Sequence, residues 1–359
     1  MSPASLRSVV AVFVVTRVAL ALTVLATISF IDPATCPFCR SASANPLLSA
    51  LSNWDGAAYL DIARVGYQSL DPSYAAFFPL YPLLMSVAGL LGGTDAYIVA
   101  GLIVSNVACF AAAVMLPELS RVREDGAPLK AASYLLIFPT TIFLSALYAD
   151  SLFIALAIAS ALAARRGRWW ASGALGAGAA LTRPFGILVV VPLAIALWQK
   201  RAGLRLISAI PLALPPLAVL AWVLYLYALT GDPLAVVHGY TSGFTPRHPL
   251  QAFTDLLDPS VYGFPWFVAV SFALFVALTV YSWRVAGMDL AAYATAMMIL
   301  IVAAGSLTSS LRYELSVYPA FIALATLTRW RGLYVAWSAI SALLAIMFAG
   351  MFALYYWVG

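Results

Sequence analysis

Charged side chains are nearly missing from this chain. Of 359 residues only 9% are Asp, Glu, Lys or Arg, against about a quarter in an ordinary soluble domain. With 64% hydrophobic residues and a mean hydropathy of +0.97, that scarcity excludes disorder, a fibrous protein and a conventional soluble enzyme. No exposed basic run is longer than three or four residues, which argues against nucleic acid as a partner. Three cysteines are too few for a disulfide framework. Cys36-Pro37-Phe38-Cys39 reads as a local disulfide or as two unlinked thiols, since no strand–helix context supports a redox dithiol and no second cysteine pair supports zinc. Cys109 reads as packing within an apolar stretch. The two histidines, His238 and His248, stand apart from any cysteine or acid cluster, which argues against a metal site.

What the chain has in quantity is apolar stretches. They lie near 8–31, 77–93, 96–116, 131–149, 151–164, 169–182, 185–198, 206–229, 265–283, 290–305, 313–328 and 332–358. A membrane-crossing helix needs about 20 apolar residues, so the expected class is an all-α polytopic membrane protein. Residues 8–31 exceed a signal-peptide core and read as a retained anchor helix. No lipidation or retention motif is visible at either end. The chain reads as one integral membrane domain over 1–359, with 21 prolines and 22 glycines to break or end its helices.

Basic clusters at Arg121/Arg123/Lys130, Arg165/Arg166/Arg168, Lys200/Arg201/Arg205, Arg284 and Arg329/Arg331 separate these stretches and should face the cytoplasm. They fall on one side only if one stretch does not cross. Residues 77–93 carry Pro79, Pro82 and a Gly92-Gly93 stop, and are read as a re-entrant or interfacial helix. The expectation is therefore about 11 transmembrane helices in a cell-membrane protein, with the N-terminus inside and the C-terminus outside. Thirteen of the 19 Lys and Arg then lie inside, and ten of the 14 acids outside. The wet, acidic outer face is where chemistry is expected, in the first outer loop 32–95 and the outer loop 230–264. The fourth and fifth spans are short, and small residues four apart between Ser172 and Gly178 suit close helix packing. No inverted repeat of the transporter kind is visible.

Residues Asn53–Tyr67 read as a short amphipathic helix ended by Gly66, with Trp54, Tyr59 and Tyr67 suited to the interface. Asp55 at its start has two readings that can coexist, a helix cap and a general base. Asp61 reads as paired with Arg64 or solvated. Asp150, between two apolar spans, is either a turn residue or a functional acid. Arg312 stands at a helix start where the dipole disfavours a cation, which favours phosphate contact, with Glu314 as a possible local partner. Arg183 has a similar setting. Arg17 reads as snorkelling to the headgroups, with pairing to a buried acid as the alternative. Asp232 reads as a turn residue, and His238 as a candidate substrate contact.

The run from Trp54-Asp55 through Ile62-Ala63 and Gly66-Tyr67 to Ala76-Phe77-Phe78-Pro79-Leu80-Tyr81-Pro82 resembles the signature loop of the PIG-V type mannosyltransferases, typified by the second mannosyltransferase of GPI-anchor synthesis. Residues Ser145–Phe153, Thr230–Ala235 and Leu311-Arg312-Tyr313 with Tyr318-Pro319 agree with that resemblance. It implies a GT-C fold, an outward-facing site, polyprenyl-phosphate-mannose as donor, a lipid- or glycan-linked acceptor, and Asp55 as base. It implies no cofactor and no metal, because arginines can hold a single phosphate. Direct attack would invert the anomeric centre. Trp54 and Tyr313, as members of these motifs, join Asp150, Arg183, His238 and Arg312 as candidate substrate contacts. Gln68 stands where relatives often carry an acid, which leaves the acceptor open. The competing readings are another polyprenyl-linked sugar, a lipid or solute transporter, and a non-catalytic assembly subunit.

Overall fold

A computed structural model describes residues 3–32, 42–89, 92–121, 126–201, 206–243, 248–257 and 264–359, and every regular element among them is helical. The Cys36 and Cys39 readings lie outside the described residues, as do Arg40, Arg123 and Arg205. The helices are α1 (Pro3–Phe30), α2 (Pro46–Ala50), α3 (Asp55–Val65), α4 (Leu80–Gly89), α5 (Thr94–Leu119), α6 (Ala127–Ile137) and α7 (Asp150–Arg165). They continue as α8 (Trp169–Ala180), α9 (Val190–Gln199), α10 (Leu214–Thr230), α11 (Ala235–Gly243), α12 (Gln251–Thr254) and α13 (Pro265–Val285). The last are α14 (Met288–Ala303), α15 (Ser310–Tyr313), α16 (Tyr318–Leu327) and α17 (Arg331–Ala353). Among the described residues five segments are long and apolar enough to cross a membrane: Ser5–Phe30, Thr94–Leu119, Ile207–Thr230, Pro265–Val285 and Arg331–Ala353. Shorter apolar helices fill the bundle between them, and the chain is a multi-pass membrane protein.

Each apolar stretch yields helix, but two break. The 131–149 stretch stops being α-helical at Ile137, because the residue before Pro139 is driven towards extended backbone. Residues 138–151 are then buried without exception. Irregular backbone at that depth must find its hydrogen bonds inside the protein, and polar side chains supply them. Ser151 donates to the Leu144 carbonyl, Asn106 to that of Ser145, and Ser105 to that of Tyr148. Arg17 belongs to the same set. Its guanidinium donates to the Leu136 carbonyl at 2.9 Å, Thr141 Oγ1 at 2.8 Å and Ser145 Oγ at 2.7 Å. This corrects the snorkelling reading: the broken helix offers Arg17 more acceptors than the headgroups do, and they are not acids. The 313–328 stretch likewise opens on distorted turns before α16.

Close packing follows the small residues. A Cβ on Gly173 would lie 2.4 Å from the Pro211 carbonyl oxygen, and one on Gly176 3.0 Å from Pro215, so α8 seats directly on the segment that becomes α10. Helix α4 has ten residues and is therefore about 15 Å long. Its first N–H donates to the Leu181 carbonyl, which ties the segment before α4 to the loop carrying Arg183. At the other end of the bundle Arg165 grips Asp289 with two bonds of 2.6 and 2.8 Å and caps the carbonyls of Leu119 and Ala286, joining α5, α7 and α14.

Candidate active site

Two acids open two helices at the same end of the bundle. Asp55 is the first residue of α3 and Asp150 the first of α7, where the unpaired N–H groups and the dipole favour a carboxylate. Trp54, before Asp55, is held at φ 58° and ψ −123°, a conformation a bulky residue rarely adopts. The surroundings enforce it. Asn53 Nδ2 donates to the Phe352 carbonyl at 3.0 Å, Tyr148 Oη donates to the Asn53 carbonyl at 3.1 Å, and the Trp54 ring meets Trp357 edge-on. Gly56 packs closely on Leu147, where an added Cβ would lie 3.3 Å from that residue. The strained turn thus aims Asp55 away from its own helix. Asp55 makes no cap bond: Trp54 holds the cap position, with no side-chain bond.

Asp55 instead accepts from Arg312, which also donates to Asp150 through Nε at 3.0 Å and pairs with it through Nη2 at 2.9 Å. Arg183 pairs with the other oxygen of Asp150. Four charges from four distant stretches form one chain, Asp55–Arg312–Asp150–Arg183, in which two cations balance two anions. Aromatic rings hold the guanidiniums flat. Arg312 lies 4.5 Å from the Tyr148 ring centroid, and Arg183 lies 4.7 Å from Phe185 and 5.3 Å from Tyr313. Glu314 is not the partner of Arg312. It accepts from Ser271, because it faces α13 rather than the cluster.

The cluster floors a cavity of about 430 Å³ lined by Asp55, Tyr59, Arg183, Tyr240, Arg312 and Tyr313 among others. Asp55 keeps 28% of its side-chain surface exposed, whereas Asp150 has none. The two carboxylates therefore differ in kind: one faces the cavity, the other lies behind the arginines and orients them. Asp150, expected from the sequence as a substrate contact, is placed beneath the cavity lining, behind the two arginines. The Trp54 ring packs on Trp357 and does not line this cavity. His238 does not line this cavity either. The cavity side of α11 carries Val236, Val237, Tyr240 and Thr241, so helical periodicity turns residue 238 outward. There its Nδ1 bonds Asp232 at 2.7 Å, which together with the Leu234 N–H holds the Asp232 carboxyl below its ordinary range. Asp61 accepts from Tyr74 at 2.8 Å.

Tyr240 is the lining residue that the sequence reading passed over. Burial pushes its phenol up to about 12, so it stays a neutral hydrogen-bonding group. The signal was its spacing: it stands four residues beyond Val236 on the same face of α11. Gly239 lets that helix sit on the 72–76 turn, since a Cβ there would lie 2.8 Å from the Pro72 oxygen. Beside the site, further along the same face of α3, a second cavity of about 520 Å³ is lined by Ile62, Tyr67, Pro79, Leu83, Trp222 and Tyr225 among others.

Known proteins share this arrangement of sequence. GPI alpha-1,6-mannosyltransferase 2 of Rattus norvegicus is 35% identical over 155 residues, which is 40% of this chain and 31% of that protein. The protein of that name from Mus musculus is 35% identical over 152 residues, 40% of this chain and 30% of its own. That from Cricetulus griseus is 34% identical over 155 residues, 40% and 31%. The matched stretch thus spans less than a third of these relatives. The sequence profile of the family described as mannosyltransferase (PIG-V) matches residues 5–207, which include Asp55, Asp150 and Arg183. Since that match covers more than half of the chain, this protein belongs to the PIG-V mannosyltransferase family.

Proposed function

We propose that this protein is a membrane glycosyltransferase that moves a mannosyl residue from polyprenyl-phosphate-mannose to a hydroxyl of a lipid- or glycan-linked acceptor on the extracytoplasmic side. The observation that carries the reading is the asymmetry of the acids: Asp55 is open to the cavity and fixed by Arg312, while Asp150 is sealed behind two arginines. Asp55 takes the proton of the acceptor hydroxyl as that oxygen attacks the anomeric carbon. The bond from that carbon to the phosphate oxygen breaks, and the polyprenyl phosphate leaves with the electron pair. Arg312 and Arg183 line the cavity where that charge develops, already oriented by Asp150, so little reorganisation is needed. Attack from the face opposite the leaving phosphate inverts the centre through an oxocarbenium-like transition state. A lipid monophosphate leaves one phosphate, which two guanidiniums match, so the proposal needs no metal or cofactor. Tyr313 and Tyr240 bound the sugar pocket. The apolar cavity beside α3 and α4, walled by Tyr67, Trp222 and Tyr225, is proposed to take the first prenyl units.

The test is transfer of labelled mannose from polyprenyl-phosphate-mannose into glycolipid by vesicles carrying the full chain. Asp55→Asn should lower turnover by about 10²–10⁴-fold, and Asp61→Asn by far less. Full transfer by Asp55→Asn would remove the proposed base.

A further inference from the structure

At the end of the bundle opposite the candidate site, three cations gather around one depression. Lys130 of α6 and Arg329, Trp330, Arg331 and Tyr334 at the start of α17 line a surface pocket of about 540 Å³. It contains no carboxylate, and among the described residues neither Arg329 nor Arg331 is in an ion pair. Lys130 Nζ donates to the Thr328 carbonyl at 2.9 Å and to that of Arg329 at 3.4 Å, and lies 5.6 Å from the Tyr334 ring. Those bonds cap the carbonyl end of α16, and among the described residues no carboxylate pairs with the ammonium.

Tyr334 also lines a second, larger cavity of about 680 Å³ between α1, α6 and α17. Its wall is almost wholly apolar and made of small or branched side chains, among them Val15, Ala19, Ala342 and Ile346. One buried polar atom on that wall, Ser338 Oγ, has no hydrogen-bond partner among the described residues. Ser338 lies seven residues beyond Arg331, about 10 Å along the helix. From the surface inward the order is cations, an aromatic ring, an unused hydroxyl, then an apolar slot. A glycerophospholipid has the same order: phosphate, glycerol, ester carbonyl, acyl chain.

We propose that this groove is a binding site for one anionic diacyl phospholipid. Its phosphate meets Lys130, Arg329 and Arg331, an ester oxygen accepts from Ser338, and an acyl chain fills the slot between α1, α6 and α17. The commitment to an anionic lipid rests on charge complementarity, since the described residues place three cations and no acid at the headgroup position. The site is independent of the transferase reading, because its residues lie at the far end of α17 from Asp55.

The test is native mass spectrometry of the full chain in detergent with equal amounts of phosphatidylglycerol and phosphatidylcholine of the same acyl chains. The expected result is retention of the anionic lipid over the zwitterionic one. Replacing Lys130, Arg329 and Arg331 by Gln should remove that preference, by about fivefold for each cation lost. Ala342→Phe, which fills the slot and keeps every charge, should reduce retention of both lipids. A measurement on the wild-type fold guards against a failure of these variants. Phosphatidylglycerol with brominated acyl chains should quench tryptophan fluorescence more than brominated phosphatidylcholine does, and equal quenching by the two would count against the site. Equal retention of the two lipids, an unchanged preference in the triple variant, or chain dimers in place of lipid adducts would overturn the proposal.

Discussion

Asp150 and Asp55 are the same residue type in the same helix position, and burial alone separates their roles. Asp150 has no exposed surface and holds two guanidiniums that are themselves 94% or more buried. Removing its charge leaves two buried cations sharing one acid. Breaking a buried pair from one side costs about 3–5 kcal/mol. Asp150→Asn should therefore lower the detergent-solubilised melting temperature by several degrees as well as abolish transfer. Asp55→Asn should lower transfer by about 10²–10⁴-fold with a smaller loss of stability, since Asp55 is partly open to the cavity and Arg312 keeps Asp150. Equal melting temperatures for the two variants would refute the division of labour. The candidate acids and arginines could be picked out in the sequence because a charge in so apolar a chain is conspicuous. Their pairing could not: Arg312 chose Asp55 and Asp150 over its near neighbour Glu314, and nothing in residues 309–314 says which way each side chain points.

Among the elements, the informative ones are those that break. Gly66 marked the end of α3, where φ is +69°, whereas Pro139, which ends α6, passed unread within the 131–149 stretch. The buried run 138–151 was hidden inside an apolar stretch because apolarity is blind to backbone geometry. Its polar partners, Ser105, Asn106, Ser151 and Arg17, made sense only once the broken carbonyls had been located. The loop carrying Arg183 has a similar dependence. Gly186 lies three residues beyond Arg183, and a Cβ there would sit 2.2 Å from the Ala179 carbonyl oxygen. Gly186→Ala should cost about 1–3 kcal/mol by overpacking and shift Arg183 off Asp150. It should thus lower both melting temperature and donor use. A variant with unchanged donor affinity would show that the Arg183 loop is not held from this side. His238 illustrates the opposite limit: its rarity and its place in the 230–264 loop suggested it, and the rotation of α11 gave the cavity to Tyr240.

For the whole molecule, the arrangement of charge divides the bundle into two ends. The Asp55 cluster lies at one, and Arg165–Asp289 with the Lys130 pocket at the other. If the basic end is cytoplasmic and α4 does not cross, single cysteines at Gly93 and Gly126, in a chain without its native cysteines, should label from outside and inside respectively. Labelling of both from one side would refute the eleven-span topology, and the reverse order would refute the orientation. The sequence by itself determined the solvent, the helical class, the order of the apolar stretches and the residues that carry charge. These are local or additive properties, readable from hydropathy and from prolines and glycines one window at a time. Only the tertiary structure decided which charges meet, which acid faces the cavity and which is sealed, and that Arg17 serves a broken helix. Those outcomes depend on contacts between residues as far apart as Asp55 and Arg312, and the energy of a buried charge is set by neighbours that folding alone brings within reach.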